Sequence, residues 1–135
     1  MSNLQDICKN VTDEVEGAVG FAVVDLNNGL LLGVHHTVPY FTQTYLDAVA
    51  AAAVDMFRGK NVSSVEKLLS SQRGETVQNM IQEVQMTTPG TYHFMSIVPE
   101  KPDALAVLIT TRKANLGMGW SALRNALPDI APQCP

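Results

Sequence analysis

The run "ALAVLITT", residues 104–111, is apolar at every position from Ala104 to Ile109. Successive side chains of a strand point to opposite faces, so this strand carries apolar groups on both. A strand of that kind belongs inside a sheet covered on both sides. "AVGFAVVDLNNGLLLGVHH", residues 18–36, supplies a second one, with Val19, Phe21 and Val23 pointing one way and Ala18, Ala22 and Val24 the other. Asn27-Asn28-Gly29 tolerates the positive φ angles of a tight hairpin turn into the run that follows. The chain must therefore provide helices for both faces of a sheet.

The helices are legible in turn. Leu4, Ile7, Cys8, Val11 and Val15 form one stripe at helical spacing, with Ser2 or Asn3 as cap and Gly17 at the end. After Pro39, Thr42 or Thr44 opens a helix that closes before Gly59. Residues 62–72 read as a shorter helix with Val62, Val65, Leu68 and Leu69 on one face. Residues 75–86 fit two periods: Val77, Met80, Ile81 and Val84 suit a helix, while Met80, Val84 and Met86 suit a half-exposed strand. The turn residues Thr87-Thr88-Pro89-Gly90 favour the strand. Residues 91–98 and 104–111 follow as strands around a "PEKPD" turn. Asn115 caps a last helix over 116–127, which Pro128 is expected to end, leaving 128–135 as a loose tail. The expectation is one α+β domain over 1–127, a central antiparallel sheet between helices in the order α-β-β-α-(α)-β-β-β-α.

With 46% hydrophobic and 16% charged residues, the chain has ample material for a core. Its net charge of −4 and lack of any Lys/Arg run argue against nucleic acid or an anionic membrane surface as partner. No apolar stretch approaches the roughly 20 residues of a spanning helix. The opening "MSNLQDICKN" does not read as a signal peptide. A cytoplasmic setting follows, in which Cys8 and Cys134 are expected as free thiols. In that setting the glycosylation patterns at Asn10 and Asn61 carry no weight.

The helix around residues 44–58 is apolar over too much of its circumference. Leu46, Ala50, Ala53 and Phe57, with Val49 and Val54 beside them, suffice to dock it on the sheet. The arc nevertheless continues through Tyr45, Ala48, Ala52 and Met56, leaving Asp47, Asp55 and Arg58 as a narrow polar strip. An arc of roughly 240° at about 100° per residue exceeds one docking surface. Either residues 62–72 fold back over it, or the alanines serve only helix propensity, or a second subunit packs there. In the last case Met80 and Val84, on an edge strand pairing with its symmetry mate, join Tyr45, Ala48, Ala52 and Met56 in a dimer interface.

No catalytic constellation assembles. His35 and His36 are adjacent on a strand and point to opposite faces, and His93 has no carboxylate or cysteine at ligand spacing. Cys8 lies on an apolar stripe, as a core cysteine does. Gly117 and Gly119 match no phosphate-loop spacing and are read as packing glycines, and Asp25 as a turn carboxylate bonded to backbone or solvent. No metal or cofactor is expected.

"GAVGFAVVDLNNGLLLGVHH", the alanine-rich helix 44–58 and "ALAVLITTRKANLGMGWSALRNAL" together resemble the roadblock / dynein light chain family over most of residues 4–127. The resemblance implies a profilin-like, five-stranded fold and a homodimer built on the long helix and on edge-to-edge strands. It also implies a non-enzymatic scaffold or regulator of a Ras-like small GTPase. Residues 60–75, "KNVSSVEKLLSSQRG", are extra to the family's usual form. A competing expectation is a sensor module whose pocket is lined by Phe94, Met95, Met80 and Met86.

Overall fold

Residues 104–111 lie at the centre of the sheet, where a doubly apolar strand has to be. The computed structural model describes residues 3–135. In chain order the elements are α1 (Leu4–Glu14), β1 (Ala18–Asp25), β2 (Leu31–His36), α2 (Gln43–Arg58), α3 (Lys60–Arg73), β3 (Glu83–Thr87), β4 (Thr91–Val98), β5 (Lys101–Thr111) and α4 (Leu116–Ile130), closed by a short 3-10 turn. All strand pairings are antiparallel, in the order β2-β1-β5-β4-β3. The α+β architecture and its element order are those read from the sequence.

The sheet separates two cores. On one face α1 and α4 cover Phe21, Val23, Phe94, Val98, Ala106 and Leu108. On the other, α2 covers Val24, Met95, Leu105, Val107 and Ile109. Fully burying a side chain such as Phe21 or Leu108 contributes about 2 kcal/mol, so the paired strands β1, β5 and β4 form the most firmly held part of the molecule.

Local chemistry explains the ends of the elements. Asn3 caps α1 by accepting from Asp6 N at 2.8 Å, and the Asp6 carboxylate accepts from Asn3 N; the alternative cap, Ser2, falls outside the described residues. In the β1–β2 turn Asp25 Oδ1 accepts from Asn27 N at 2.8 Å, and Gly29 takes φ +73°. Asp25 is thus a backbone-bonded turn carboxylate. Thr42 and Asn115 cap α2 and α4. A Cβ on Gly119 would lie 2.4 Å from the Phe94 ring, so this glycine lets α4 sit against β4. Gly117 faces no such neighbour on the sheet.

Four expectations need correction. Val19 packs on the α2 side and Ala18 on the α1/α4 side, the reverse of the simple alternation, because the β1–β5 register shifts between Ala18 and Gly20. A bulge of one residue exchanges the faces on either side of it. The strand expected within 75–86 begins at Glu83; residues 74–82 form an irregular strap, with Asn79 at φ +52°. Strand β5 begins at Lys101, so the turn before it is shorter than "PEKPD". Helix α4 continues through Pro128 to Ile130. Proline there forfeits one backbone hydrogen bond, but the extra turn buries Ile130 and leads to Cys134, which is also buried. Residues 128–135 are therefore anchored at Ile130 and Cys134 rather than loose, although Pro128, Asp129, Pro132, Gln133 and Pro135 stay exposed.

Candidate interaction surface

Helix α2 docks through one narrow face. Ala50, Ala53 and Phe57 are its buried residues, with Leu46, Val54 and Met56 partly covered against the same core. Phe41 stacks on Tyr45 with ring centroids 4.8 Å apart, which fixes the entry to the helix. At the other end the Arg58 guanidinium donates to the Pro102 carbonyl. Gly59 then turns the chain so sharply that a Cβ would lie 2.2 Å from Asp55 O.

Helix α3 does not cover the outer face of α2. Every residue of α3 is described and none is buried. Ala48, Ala52 and much of Tyr45 remain exposed. The helix is instead fastened to the strap that follows it: Met80 N donates to Glu66 Oε2 at 2.8 Å and Val77 N to Ser70 Oγ at 2.8 Å.

Between α2 and the sheet a cavity of about 290 Å³ opens to the surface. Tyr45, Ala52 and Met56 line its helix side, and Met86, His93 and Met95 line its strand side. Beside it runs β3, the last strand of the sheet, whose outer edge has no partner strand among the described residues. The six residues expected at a dimer interface divide accordingly. Tyr45, Ala52 and Met56 meet at the cavity. Ala48 is exposed farther round the helix, and Val84 lies on the edge strand against the α2-side core. Met80 stands three residues before the strand, tied to α3. Of the residues expected to line a ligand pocket, Met86 and Met95 do so. Phe94 faces the opposite core, edge-on to Trp120 at 5.4 Å, because it alternates with Met95 along β4.

The polar groups near the cavity are few. His93 Nε2 lies 2.9 Å from Thr91 Oγ1, and burial pushes its pKa below the ordinary value. His36 Nδ1 accepts from Val38 N, and its ring lies against Phe41. Among the described residues no group of three or more His, Cys, Asp or Glu is placed to hold a metal ion. Burial pushes the Cys8 thiol up to about 12 and raises that of Cys134, so both stay protonated within the core. The arrangement offers apolar contact area and a strand edge, with His35, His36, Thr88 and His93 as its polar margin. Sequence reasoning anticipated a pocket at Met86 and Met95 but missed its α2 wall of Tyr45, Ala52 and Met56, and it missed the Glu66–Met80 tie, since both join residues distant along the chain.

A five-stranded antiparallel sheet with α1 and α4 on one face and α2 on the other is the roadblock fold, and the structural neighbours of this chain are roadblock/LC7 domain proteins and MglB. The roadblock/LC7 domain from Streptomyces avermitilis superposes with a TM-score of 0.71 at 15% identity, covering 97% of each chain. MglB from Myxococcus xanthus gives 0.68 at 16% identity, covering 95% of this chain and 91% of the other. The gliding protein MglB from Thermus thermophilus gives 0.69 at 19% identity, covering 96% and 86%. No family model matches the sequence, and no curated protein matches it. No helix among the described residues is long and apolar enough to cross a membrane.

Proposed function

We propose that this protein is a cytoplasmic, non-enzymatic homodimer that binds a Ras-like small GTPase and modulates its nucleotide cycle or its localisation. The observation that carries the reading is the uncovered outer face of α2 beside the unpaired edge of β3. Edge-to-edge pairing of two β3 strands satisfies their free backbone groups and continues the sheet into a second copy. The same operation brings the α2 helices together, where Ala48 and Ala52 permit close approach and Tyr45 and Met56 supply contact area. The resemblance to the roadblock family supports the GTPase as partner of such a dimer. The test is capture from native lysate on the immobilised protein, with a non-hydrolysable GTP analogue in one arm and GDP in the other. A small GTPase enriched in one arm supports the reading; its absence from both removes the GTPase and leaves the dimer.

A second reading rests on the cavity itself. At about 290 Å³, with Met86 and Met95 on its wall, it accommodates a small apolar molecule. A thermal-shift screen of apolar ligands separates the two readings. Stabilisation of the chain together with loss of the dimer supports the sensor, and an absence of hits counts against it.

A further inference from the structure

The outer edge of β3 can be resolved residue by residue. In an antiparallel pair, residues alternate between those that exchange hydrogen bonds with the neighbouring strand and those that do not. Ile97 N donates to Gln82 O and Thr88 N to Thr91 O, each at 2.9 Å, at the two ends of the register that sets Val84 opposite Met95 and Met86 opposite His93. The even-numbered residues therefore turn their backbone groups toward β4. Glu83, Gln85 and Thr87 turn theirs to the free edge, where no backbone partner meets them among the described residues. The side chains alternate as well: Val84 packs on the α2-side core and Met86 lines the cavity, while Glu83 reaches Arg124 of α4 on the other face.

A two-fold axis normal to the sheet keeps every side chain on its own face. Opposed residues then share one parity, and the axis passes through a residue rather than between two. The candidates are the residues of Glu83–Thr87. Centred on Gln85, the pairing sets Gln85 against Gln85 and Glu83 against Thr87 on either side, so all the outward groups of both copies are hydrogen-bonded. On the α2 face Val84 of one copy then opposes Met86 of the other, apolar against apolar. The other centres fail. On Met86, Glu83 meets Pro89, which has no N–H to give. On Thr87, Glu83 falls opposite Thr91, which already belongs to β4. On Glu83, two carboxylates stand directly opposite, which destabilises a strand pair. On Val84, Thr87 falls opposite Ile81. That residue packs on the α2-side core, whereas a strand continued back to it would turn it to the other face, so the strand has ended before it.

We propose that the homodimer pairs its β3 edges in this one register, with the axis at Gln85, and that Val84 of each copy packs beside Met86 of the other at the cavity wall. This inference rests on the dimer proposed above. The opposed Val84 and Met86 exchange no hydrogen bonds, and in such pairs the Cα atoms approach to about 4.5 Å. Each cavity therefore takes part of its rim from the second copy and is complete only in the dimer.

The test uses three single variants of the full chain under mild oxidation, read on non-reducing gels: Gln85→Cys, Glu83→Cys and Thr87→Cys. Cys8 and Cys134 are buried and do not compete. Gln85→Cys, on the axis, should form a disulfide-linked dimer by itself. Glu83→Cys and Thr87→Cys should link only when the two are mixed and allowed to exchange subunits. Alone, each stands four residues from its own copy along the paired strands, about 14 Å, beyond the roughly 7 Å that a disulfide spans. In parallel, Gln85→Pro removes an N–H that the single chain leaves unused at its edge. It should raise the dimer dissociation constant at least about tenfold, with an unchanged circular dichroism spectrum. A wild-type dimer in which Gln85→Cys fails to link, or in which Glu83→Cys or Thr87→Cys links to itself, overturns the register and leaves the dimer standing. So does a Gln85→Pro dimer as tight as the wild type. A wild type that sediments as a single chain overturns both.

Discussion

Gly119→Ala is the substitution whose sign the structure determines most sharply. Alanine in place of glycine in a helix is ordinarily worth about 1 kcal/mol of stability. Here the added Cβ would lie 2.4, 2.7 and 2.8 Å from three atoms of the Phe94 ring. Carbon atoms in good contact sit about 3.5–4.0 Å apart, so the ring or the helix must yield by about 1 Å. Phe94 has little room to do so: it is fully buried, with Trp120 edge-on at 5.4 Å and Tyr92 at 6.3 Å. Overpacking of this kind costs up to about 3 kcal/mol, leaving a net loss of about 2 kcal/mol after the helix gain. For a chain of this size that is a fall in Tm of about 6–10 °C. Two positions earlier, a Cβ on Gly117 meets only Asn115 Oδ1, at 3.2 Å; crowding of that capping oxygen offsets part of the helix gain of about 1 kcal/mol, so Gly117→Ala should leave stability unchanged or raise it by under about 1 kcal/mol. Thermal and urea unfolding followed by circular dichroism, at one fixed protein concentration, reads both. A Gly119→Ala protein as stable as the wild type would show that α4 does not approach β4 as described.

Two further outcomes follow from buried titratable groups. Burial holds the pKa of His93 below its ordinary 6.5; the unfolded chain therefore binds the proton more readily, so the stability contributed by neutral His93 is present above pH 6.5 and is lost as pH falls through the folded pKa. His93→Gln should flatten the slope of stability against pH in that window, and an unchanged slope would refute the assignment. Cys8 and Cys134, protonated and buried, should react with an exposed-thiol reagent only on the timescale of unfolding; rapid labelling of the native protein would contradict their placement.

The sheet was readable because its signals are local. Six consecutive apolar residues from Ala104 can be accommodated only at a doubly covered position, and Asn27-Asn28-Gly29 between apolar runs specifies a hairpin. What escaped depends on contacts between distant residues. The bulge that exchanges the faces of Ala18 and Val19 lies in the pairing with β5, not in the sequence of β1. Met80 and Val84 satisfy helix and strand periods alike, and the strap ties to Glu66 and Ser70 of α3 left little of that stretch for β3. Pro128 signals a helix end by propensity, but the burial of Ile130 and Cys134 overrides it. The candidate surface was half legible. The excess apolar arc of α2 marked Tyr45, Ala52 and Met56, while their meeting with Met86, His93 and Met95 requires the folded chain.

The central claim is that a second copy of the chain occupies the surface formed by α2 and β3. Sedimentation equilibrium of the wild type and of Ala52→Glu tests it most directly, since Ala52 is exposed in the single chain and glutamate there should leave the fold intact. The account predicts twice the chain mass for the wild type and the single-chain mass for Ala52→Glu, with identical circular dichroism. A wild type at the single-chain mass, or an Ala52→Glu dimer as tight as the wild type, would contradict it.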